Sequence, residues 1–188
     1  MLYKFSSLYI SKYYALKFPN FGRNFKVCHG TYISAPKHAI EIGCDFFANV
    51  NCYLSTNNNT RVKIGDAVMF GPNVHILGGN HNLSATECHL RYYLEPENKC
   101  SEILLENGVW VGAMSIILGG ATLGEGAVLA AGSVLNGSIP PYSIAAGVPA
   151  KVKKRRFSTK AELELILSNT NSNYTVSELE LIYEKFGI

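Results

Sequence analysis

The chain has 188 residues, enough for one domain with a substantial core, and 47% of them are hydrophobic. The net charge of +3 is modest, and the basic residues cluster at 151–156 instead of covering a long face, which argues against a dedicated nucleic-acid-binding protein. Five cysteines at irregular spacing, without a CxxC pair, predict reduced thiols in a cytoplasmic protein.

Residues 1–24 form an N-terminal segment rich in tyrosine, phenylalanine and leucine. Lys4, Lys12 and Lys17 interrupt its apolar runs, and none of these runs is long enough for a spanning helix or resembles a signal sequence. The sequence therefore does not indicate membrane association. We expect the segment to pack on the first coil of the domain that follows, the alternative being a position at a membrane surface near glycan-assembly enzymes.

Large apolar side chains recur at every sixth residue along two stretches of the chain. These positions are Ile64, Phe70 and Ile76, then Leu105, Val111, Ile117, Leu123, Leu129 and Leu135. A period of six matches no helix but is a multiple of the strand period of two. Each unit must therefore contain a short strand and a bend, and the small or acidic residue that follows most of these positions favours the bend.

A second compact side chain follows most of these positions after four residues. These residues are Val68, Val74, Val109, Ser115, Ala121, Ala127 and Ser133. Because offsets of four and six differ by two, both side chains face inward and the residue between them faces outward. Three such strands in each coil predict a triangular prism, an all-β fold with eighteen residues in a coil and coils stacked about 4.8 Å apart.

The period is interrupted twice. The register of Ile42, Ala48 and Leu54 is four residues out of phase with Ile64, which predicts an insertion at the corner 57–59. The phase is lost again after Ile76, so we expect residues 82–104 to leave the prism as a projecting loop.

The prism is predicted over residues 25–156, and residues 157–188 form a C-terminal helical extension. Thr159 precedes Glu162 by three residues, and Thr175 precedes Glu178 by three residues. This spacing is typical of capping boxes, so we expect two short capped helices.

Three further segments have a distinctive composition. They are VWVGA at 109–113, LAAGS at 129–133 and IPPYSIAAGVPAK at 139–151. Together with the hexads, they resemble the hexapeptide-repeat acyltransferases over residues 40–156. Within that group the chain is most similar to the galactoside/maltose and the capsule or lipopolysaccharide O-acetyltransferases.

The resemblance implies a left-handed parallel β-helix that assembles as a homotrimer with three active sites between subunits. It implies an acetyl-CoA-dependent O-acetyltransferase of polysaccharide biosynthesis, acting on a hydroxyl of a sugar or glycan unit. His81 is predicted to face outward directly before the loop, and the resemblance implies that it is the general base. Histidine suits this role because its imidazole titrates near neutral pH.

Ala113 and Ala131 are eighteen residues apart, so they should stack at one corner of successive coils. Small side chains there would expose backbone amides to an extended pantetheine arm, and the resemblance implies that these positions contact acetyl-CoA. Asn136 and Gly137, at the next corner, are further candidates. Trp110 faces outward beside the groove, where it is predicted to pack against pantetheine or a neighbouring subunit.

The basic run after the last coil is a candidate phosphate-binding site, since coenzyme A carries several phosphates. The resemblance favours Lys151 and Lys154 for this role. Asn51 resembles an acceptor-site asparagine, and Arg91 and Tyr92 in the loop are candidates for the acceptor cleft.

Three alternatives stay open at this point: amino-sugar N-acetylation, a non-catalytic β-helix scaffold, and metal catalysis. The last is disfavoured because a prism face separates His75 from His81. We therefore predict no metal requirement.

Overall fold

The computed structural model describes residues 2–79, 81–93 and 101–188, with side chains from Ser6 onward. The helices in this part of the chain are α1 (Leu2–Lys17), α2 (Lys160–Asn169) and α3 (Val176–Phe186). The strands are β1 (Lys26–Val27), β2 (Tyr32–Ser34), β3 (Ile40–Ile42), β4 (Phe47–Ala48), β5 (Tyr53–Ser55), β6 (Thr60–Ile64), β7 (Met69–Phe70), β8 (His75–Leu77), β9 (Ser101–Leu105), β10 (Trp110–Val111), β11 (Ile116–Leu118), β12 (Thr122–Leu123), β13 (Val128–Leu129), β14 (Val134–Leu135), β15 (Ser138–Ile139), β16 (Ser143–Gly147) and β17 (Ala150–Arg155).

Every third strand belongs to the same sheet, so the chain visits three sheets in turn. Sheet I has the order β1-β4-β7-β10-β13-β16-β17, sheet II β14-β11-β8-β5-β2 and sheet III β15-β12-β9-β6-β3. The pairs within these sheets are parallel, except that β17 runs antiparallel to β16. The result is a three-sided parallel β-helix, as the hexad spacing predicts.

The core of the prism is a stack of the side chains that recur every six residues. Phe70, Val111 and Leu129 lie in register in sheet I, and all three are fully buried. Ile76 pairs with Ile117 in sheet II and is equally buried. Each coil therefore adds one layer to a continuous apolar core, which is the main stabilising element of the domain.

The three edges of the prism differ in how much chain they accommodate. At the edge between sheets I and II, four residues join the strands in each of the five coils, and at the edge between sheets III and I the connections have three or four residues. At the edge between sheets II and III the connections are 35–39, 56–59, 78–100, 119–121 and 136–137. All insertions in the prism therefore lie along the II–III edge.

The II–III edge explains both interruptions of the period. Leu54 and Ile64 are ten residues apart instead of six, so the predicted insertion at 57–59 is confirmed. The loop boundary of 104 is wrong, because Ser101–Leu105 forms β9 and pairs with Thr60–Ile64. The Ser101 and Thr60 hydroxyls lie 2.9 Å apart and add a side-chain hydrogen bond to this register. The projecting arm therefore returns to the prism by residue 101.

The N-terminal segment packs on the first coil as helix α1. The Ser11 hydroxyl accepts a hydrogen bond from the Val27 amide at 3.0 Å, and the Tyr14 hydroxyl accepts one from the Ile33 amide at 3.0 Å. Phe18 is fully buried in the prism core. One face of α1 thus closes the end of the prism where the first strands would otherwise leave core side chains uncovered. None of the helices in the described part of the chain is long and apolar enough to cross a membrane.

The two C-terminal helices begin where the sequence predicts. Thr159 with Glu162, and Thr175 with Glu178, each form both hydrogen bonds of a capping box. Leu163, Leu167, Leu179 and Tyr183 pack with Tyr142 in a second apolar cluster beside the last coil. The helices therefore cover the side of the prism near its final turn.

Polar contacts join this helical cap to the III–I edge. The buried Glu125 carboxylate accepts a hydrogen bond from the Tyr142 hydroxyl, and burial together with this bond raises the pKa of Tyr142. The Tyr174 hydroxyl donates to the Glu106 carboxylate at 3.1 Å. Burial and this carboxylate raise the pKa of Tyr174 to about 12, and burial raises that of Tyr183 to about 12.

These shifts predict that the cap loses stability between about pH 10 and 12. In that window an unfolded tyrosine ionises while Tyr174 and Tyr183 stay protonated in the fold, so rising pH favours the unfolded state. Urea unfolding followed by far-ultraviolet circular dichroism should therefore show a declining midpoint across this window. Tyr174→Phe should make the decline shallower, and the exposed Tyr92→Phe is the matched control. Identical slopes for the two variants would contradict the account.

Candidate functional site

The predicted alanine pair lies on the I–II edge. Val111 pairs with Leu129, so Ala113 and Ala131, two residues further on, stack on adjacent coils. The carbonyl of Ala113 accepts a hydrogen bond from the Gly132 amide at 2.8 Å. A Cβ placed on Gly112 would lie 2.5 Å from the Ala131 nitrogen, so the coils approach too closely here for any side chain at 112. Coil contact therefore explains the glycine at position 112.

The alanine edge leaves backbone groups available to a ligand. Within the described residues, the backbone N–H groups of Ala113 and Ala131 donate no hydrogen bond. The backbone carbonyl of Ala131 accepts none. Ala131 is exposed and Ala113 is half-buried. A strip of backbone groups without hydrogen-bond partners, repeated at the coil spacing, suits an extended ligand that itself carries amides.

Trp110 lies on the outer face of sheet I, beside the alanine edge. Its side chain is 48% exposed, and its register neighbours are Met69 and Val128. Met69 is also exposed, at 45%. An indole next to a thioether forms an apolar surface that suits either a ligand or another copy of the chain.

A β-bulge brings the two predicted phosphate-binding lysines onto one face. In the antiparallel pair β16–β17, Ala146 faces Lys151 and Ile144 faces Lys154, with a register shift at Ile144/Ala145 that leaves Lys153 as the extra residue. Without the shift, residues 151 and 154 would point to opposite sides of the strand. Both lysines are exposed on the outer side, and Lys151 lies roughly two strand spacings, about 10 Å, from Ala131.

The arginines that follow have structural partners. Arg155 forms a salt bridge with Glu180 at 2.9 Å, and its guanidinium lies 4.5 Å from the Tyr183 ring centroid. Arg156 donates to the Gly126 carbonyl at 2.6 Å. The basic run therefore divides into exposed lysines and arginines that hold the helical cap.

Asn136 and Gly137 lie on the II–III edge, across sheet II from the alanines. They nevertheless meet Lys151 in a cleft of about 320 Å³ at the end of the prism, which Phe186 of α3 also lines. The structure thus brings together three of the predicted cofactor-binding residues at the end of the prism where the lysines lie.

His81 is exposed and leaves the prism at the II–III edge, between β8 and the arm. The chain before it is tightly held. The Gly79 amide donates to the Thr60 hydroxyl at 2.9 Å, and a Cβ on Gly78 would lie 2.7 Å from the Thr56 hydroxyl oxygen. Gly79 has a φ of +84°, a conformation that favours glycine. Two glycines therefore fix the point at which His81 emerges.

The arm after His81 begins with a turn. The Asn82 side-chain oxygen accepts a hydrogen bond from the Ser84 amide at 3.1 Å, and its amide nitrogen lies 3.5 Å from the Tyr93 hydroxyl. Arg91 and Tyr92 are exposed on the same arm. Asn82 therefore stabilises the turn by side-chain hydrogen bonding.

Within one chain, His81 and the alanine pair are on opposite edges of sheet II. The strands of sheet II are two or three residues long, and together with the flanking corner residues they separate the two edges by roughly 13–17 Å. Asn51 lies on the alanine edge with a φ of +58° and is exposed. The single chain therefore does not bring the predicted base together with the predicted donor groove.

His75 lies on the outer face of sheet II, with its ring 5.9 Å from that of Tyr53 in an edge-on arrangement. It is thus separated from His81 by the II–III corner. Among the described residues, no group of three or more histidines, cysteines or acidic side chains is arranged to hold a metal ion.

Three features of the site have no signal in the sequence. The bulge at Lys153 depends on how β17 folds back on β16. The position of Phe186 depends on tertiary docking of α3. The contact between Asn82 and Tyr93 depends on the path of the arm.

Residues 102–137 match a protein-family model described as bacterial transferase hexapeptide (six repeats). A putative lipopolysaccharide biosynthesis O-acetyltransferase from Escherichia coli is 32% identical over 149 residues, covering 75% of this chain and 74% of that protein. The chain spans only 51% of a putative acetyltransferase from Schizosaccharomyces pombe and 63% of the galactoside O-acetyltransferase from E. coli.

Solved structures show the same architecture. A maltose O-acetyltransferase from Clostridium difficile has a TM-score of 0.60 and 31% identity, with 75% of this chain and 71% of that chain covered. A hexapeptide-repeat acetyltransferase from Vibrio cholerae in complex with acetyl coenzyme A has a TM-score of 0.50 and 26% identity, with 78% of each chain covered.

Gly79→Ala should lower the free energy of unfolding by about 1–2 kcal/mol, because alanine is strained at this φ and its Cβ would meet the Asn57 side chain. Gly137→Ala is the matched control, since a Cβ there has open space and φ is not positive; it should be neutral or stabilise by up to about 1 kcal/mol. Denaturant unfolding monitored by Trp110 fluorescence measures both. Equal effects at the two glycines would refute the role of Gly79 at the arm base.

Proposed function

Because this chain belongs to the hexapeptide-repeat acyltransferase family, whose fold is the left-handed parallel β-helix, we propose that it transfers acetyl from acetyl-CoA to a hydroxyl of a sugar or polysaccharide unit. The observation that carries this proposal is the arrangement on sheet I and its I–II edge. The backbone N–H groups of Ala113 and Ala131, which make no hydrogen bond within the described residues, are followed along the outer side of sheet I by Lys151 and Lys154.

The donor arm binds along the alanine edge in this proposal. Pantetheine is narrow and has two amides, so it pairs with the free backbone groups of Ala113 and Ala131 while Trp110 covers one side. A larger side chain at either alanine would fill the strip. The solved complex of the Vibrio cholerae relative with acetyl coenzyme A supports the choice of donor.

The phosphates of the donor bind at the end of the prism. Lys151 and Lys154 present two ammonium groups on the same outer face, and Asn136 and Gly137 line the cleft next to Lys151. Ammonium groups bind phosphate as point charges, and the exposed position keeps the cost of desolvation low.

His81 acts as the general base. Its imidazole takes the proton of the acceptor hydroxyl as that oxygen attacks the thioester carbonyl. When the carbon–sulfur bond breaks, the same proton returns from the imidazolium to the departing thiolate. The products are an acetyl ester and free coenzyme A, so atoms and charge balance with no metal in the reaction.

The site is completed between copies of the chain in a homotrimer. His81 and the alanine edge of one chain lie on opposite edges of sheet II, so the His81 edge of one copy must meet the alanine edge of the next. Cyclic symmetry makes such a contact repeat and close, which gives three equivalent sites. Asn51 on the alanine edge, and Arg91 and Tyr92 on the arm that follows His81, would then face the same cleft and bind the acceptor.

Free cysteine thiols are typical of a reducing compartment, so the cytoplasm is the proposed location. The four cysteines described by the structure, Cys28, Cys44, Cys52 and Cys88, are unpaired thiols.

His81→Ala should lower kcat by roughly 10²–10⁴, because the acceptor hydroxyl loses its base. Release of free thiol from acetyl-CoA with a panel of sugars measures turnover, and His38→Ala, another exposed histidine on the II–III edge, is the matched control. Unchanged turnover in His81→Ala would contradict the assignment of the base. A product with an amide instead of an ester would contradict O-acetylation.

Lys154→Ala should raise KM for acetyl-CoA by about tenfold, because one charge-assisted hydrogen bond is lost. The same variant should leave KM for acetyl-pantetheine unchanged, since that donor has no nucleotide phosphates. An equal rise with both donors would show that the lysine acts on the fold and not on the phosphates.

Ala131→Leu should raise KM for both donors by about tenfold or more, because residue 131 is exposed and a leucine there would fill the strip in which the donor arm binds. Ala161→Leu, at an exposed alanine of α2, is the matched control. If Ala131→Leu left both KM values unchanged, the donor groove would not be on the alanine edge.

A further inference from the structure

Helix α1 is apolar on two opposite faces. Ser11 and Tyr14 on its inward face, and Phe18 directly after the helix, are buried against the prism. Leu8 is 53% exposed, Tyr9 70%, Tyr13 57% and Leu16 87%. At 100° per residue these four side chains, with Lys12 between them, occupy one continuous arc opposite the buried face. Packing on the first coil therefore explains only half of this helix.

The outward face has the properties of an interfacial surface. Tyrosine and leucine are the side chains that partition into the boundary between lipid head groups and acyl chains. Lys17 has its ammonium nitrogen 5.7 Å from the Tyr13 ring centroid and 5.3 Å from that of Phe18, so a positive charge lies against the aromatic rings next to the arc. Lys12 is exposed in the middle of the arc.

The charged residues are unevenly distributed along the chain, and the positive part is the N-terminal part that contains α1. Residues 1–40 contain no aspartate or glutamate and six of the 17 basic residues, which are Lys4, Lys12, Lys17, Arg23, Lys26 and Lys37. Residues 41–188 contain the other 11 basic residues and all 14 acidic ones, a net charge of −3. The N-terminal end of the molecule is thus positive while the rest is negative.

We propose that the outward face of α1 binds the surface of an anionic lipid membrane. The apolar arc of Leu8, Tyr9, Tyr13 and Leu16 enters the head-group region, and the lysines beside it contact the lipid phosphates. A negatively charged surface is the partner that the charge division fits, because it attracts this end of the molecule and repels the remainder. The helix lies on the surface and does not cross it.

A cyclic trimer would strengthen this attachment, and this step alone depends on the proposed function. Rotation about a three-fold axis places all three copies of α1 at the same height along that axis. One chain with a single short interfacial helix binds weakly, whereas three linked copies bind with much higher avidity. The acceptors within reach would then include glycans attached to lipid.

Vesicle flotation of the full chain tests the proposal. We expect recovery with phosphatidylcholine vesicles that contain phosphatidylglycerol, little recovery with phosphatidylcholine alone, and a decrease with rising salt. Lys12→Gln should lower the partition coefficient by about fivefold. Tyr13→Ser/Leu16→Ser should lower it by at least about tenfold.

The matched control is Leu165→Ser/Leu181→Ser, which removes two leucines, 62% and 60% exposed, from the C-terminal helices. This pair should leave the partition coefficient unchanged. Equal losses in the two pairs, or equal binding to neutral and anionic vesicles, would overturn the proposal. Sedimentation equilibrium of Tyr13→Ser/Leu16→Ser distinguishes membrane binding from self-association. A fall in oligomeric state would show that a second copy of the chain, and not a membrane, covers this face. Thiol release from acetyl-CoA with a water-soluble acceptor reports on the proposed activity separately from lipid binding.

Discussion

The vertical stacking of parallel coils constrains every other feature of this protein. Each short strand forms hydrogen bonds with the strand one coil before and one coil after it, and a continuous apolar core runs along the axis. A change in length at one edge would shift every later strand unless the extra residues leave the prism. The four-residue connections at the I–II edge never vary, and all the extra chain is placed at the II–III edge.

This constraint creates a difference between the I–II and II–III edges. At the I–II edge, the close approach of the coils leaves no room for a side chain at Gly112, and the backbone N–H groups of Ala113 and Ala131 have no hydrogen-bond partner within the described residues. At the II–III edge, freedom in length allows a projecting arm with His81 at its base. The invariant edge is suited to holding an extended donor, and the variable edge to selecting an acceptor. Neither edge has both properties, which is why the proposed site needs two copies of the chain.

Sequence periodicity was enough to predict the parts of the fold that repeat. The hexads from Leu105 to Leu135 predict the prism, and the spacing of Ala113 and Ala131 predicts their stacking. Local capping rules predict where α2 and α3 begin. These predictions succeed because each depends only on residues close in sequence or on a fixed period.

The remainder depends on contacts that periodicity does not encode. Ser101 begins β9 because its hydroxyl and backbone pair with Thr60, 41 residues earlier, so the sequence places the end of the loop too late. Lys151 and Lys154 share a face only because of the bulge in β17. The α1 segment has no polar face, so its sequence pattern does not separate the buried side from the exposed side.

The most direct test of a site shared between copies is to mix two variants, each impaired in a different half of the proposed site. His81→Ala and Ala131→Leu chains would be co-expressed, purified as mixed oligomers and assayed at an acetyl-CoA concentration below the raised KM. In a cyclic trimer, random mixing at equal amounts restores roughly one site in four, because that fraction pairs an intact His81 edge with an intact alanine edge. Recovery of activity to about that fraction of the unaltered protein supports the account. A mixture no more active than the mean of its two components would contradict it.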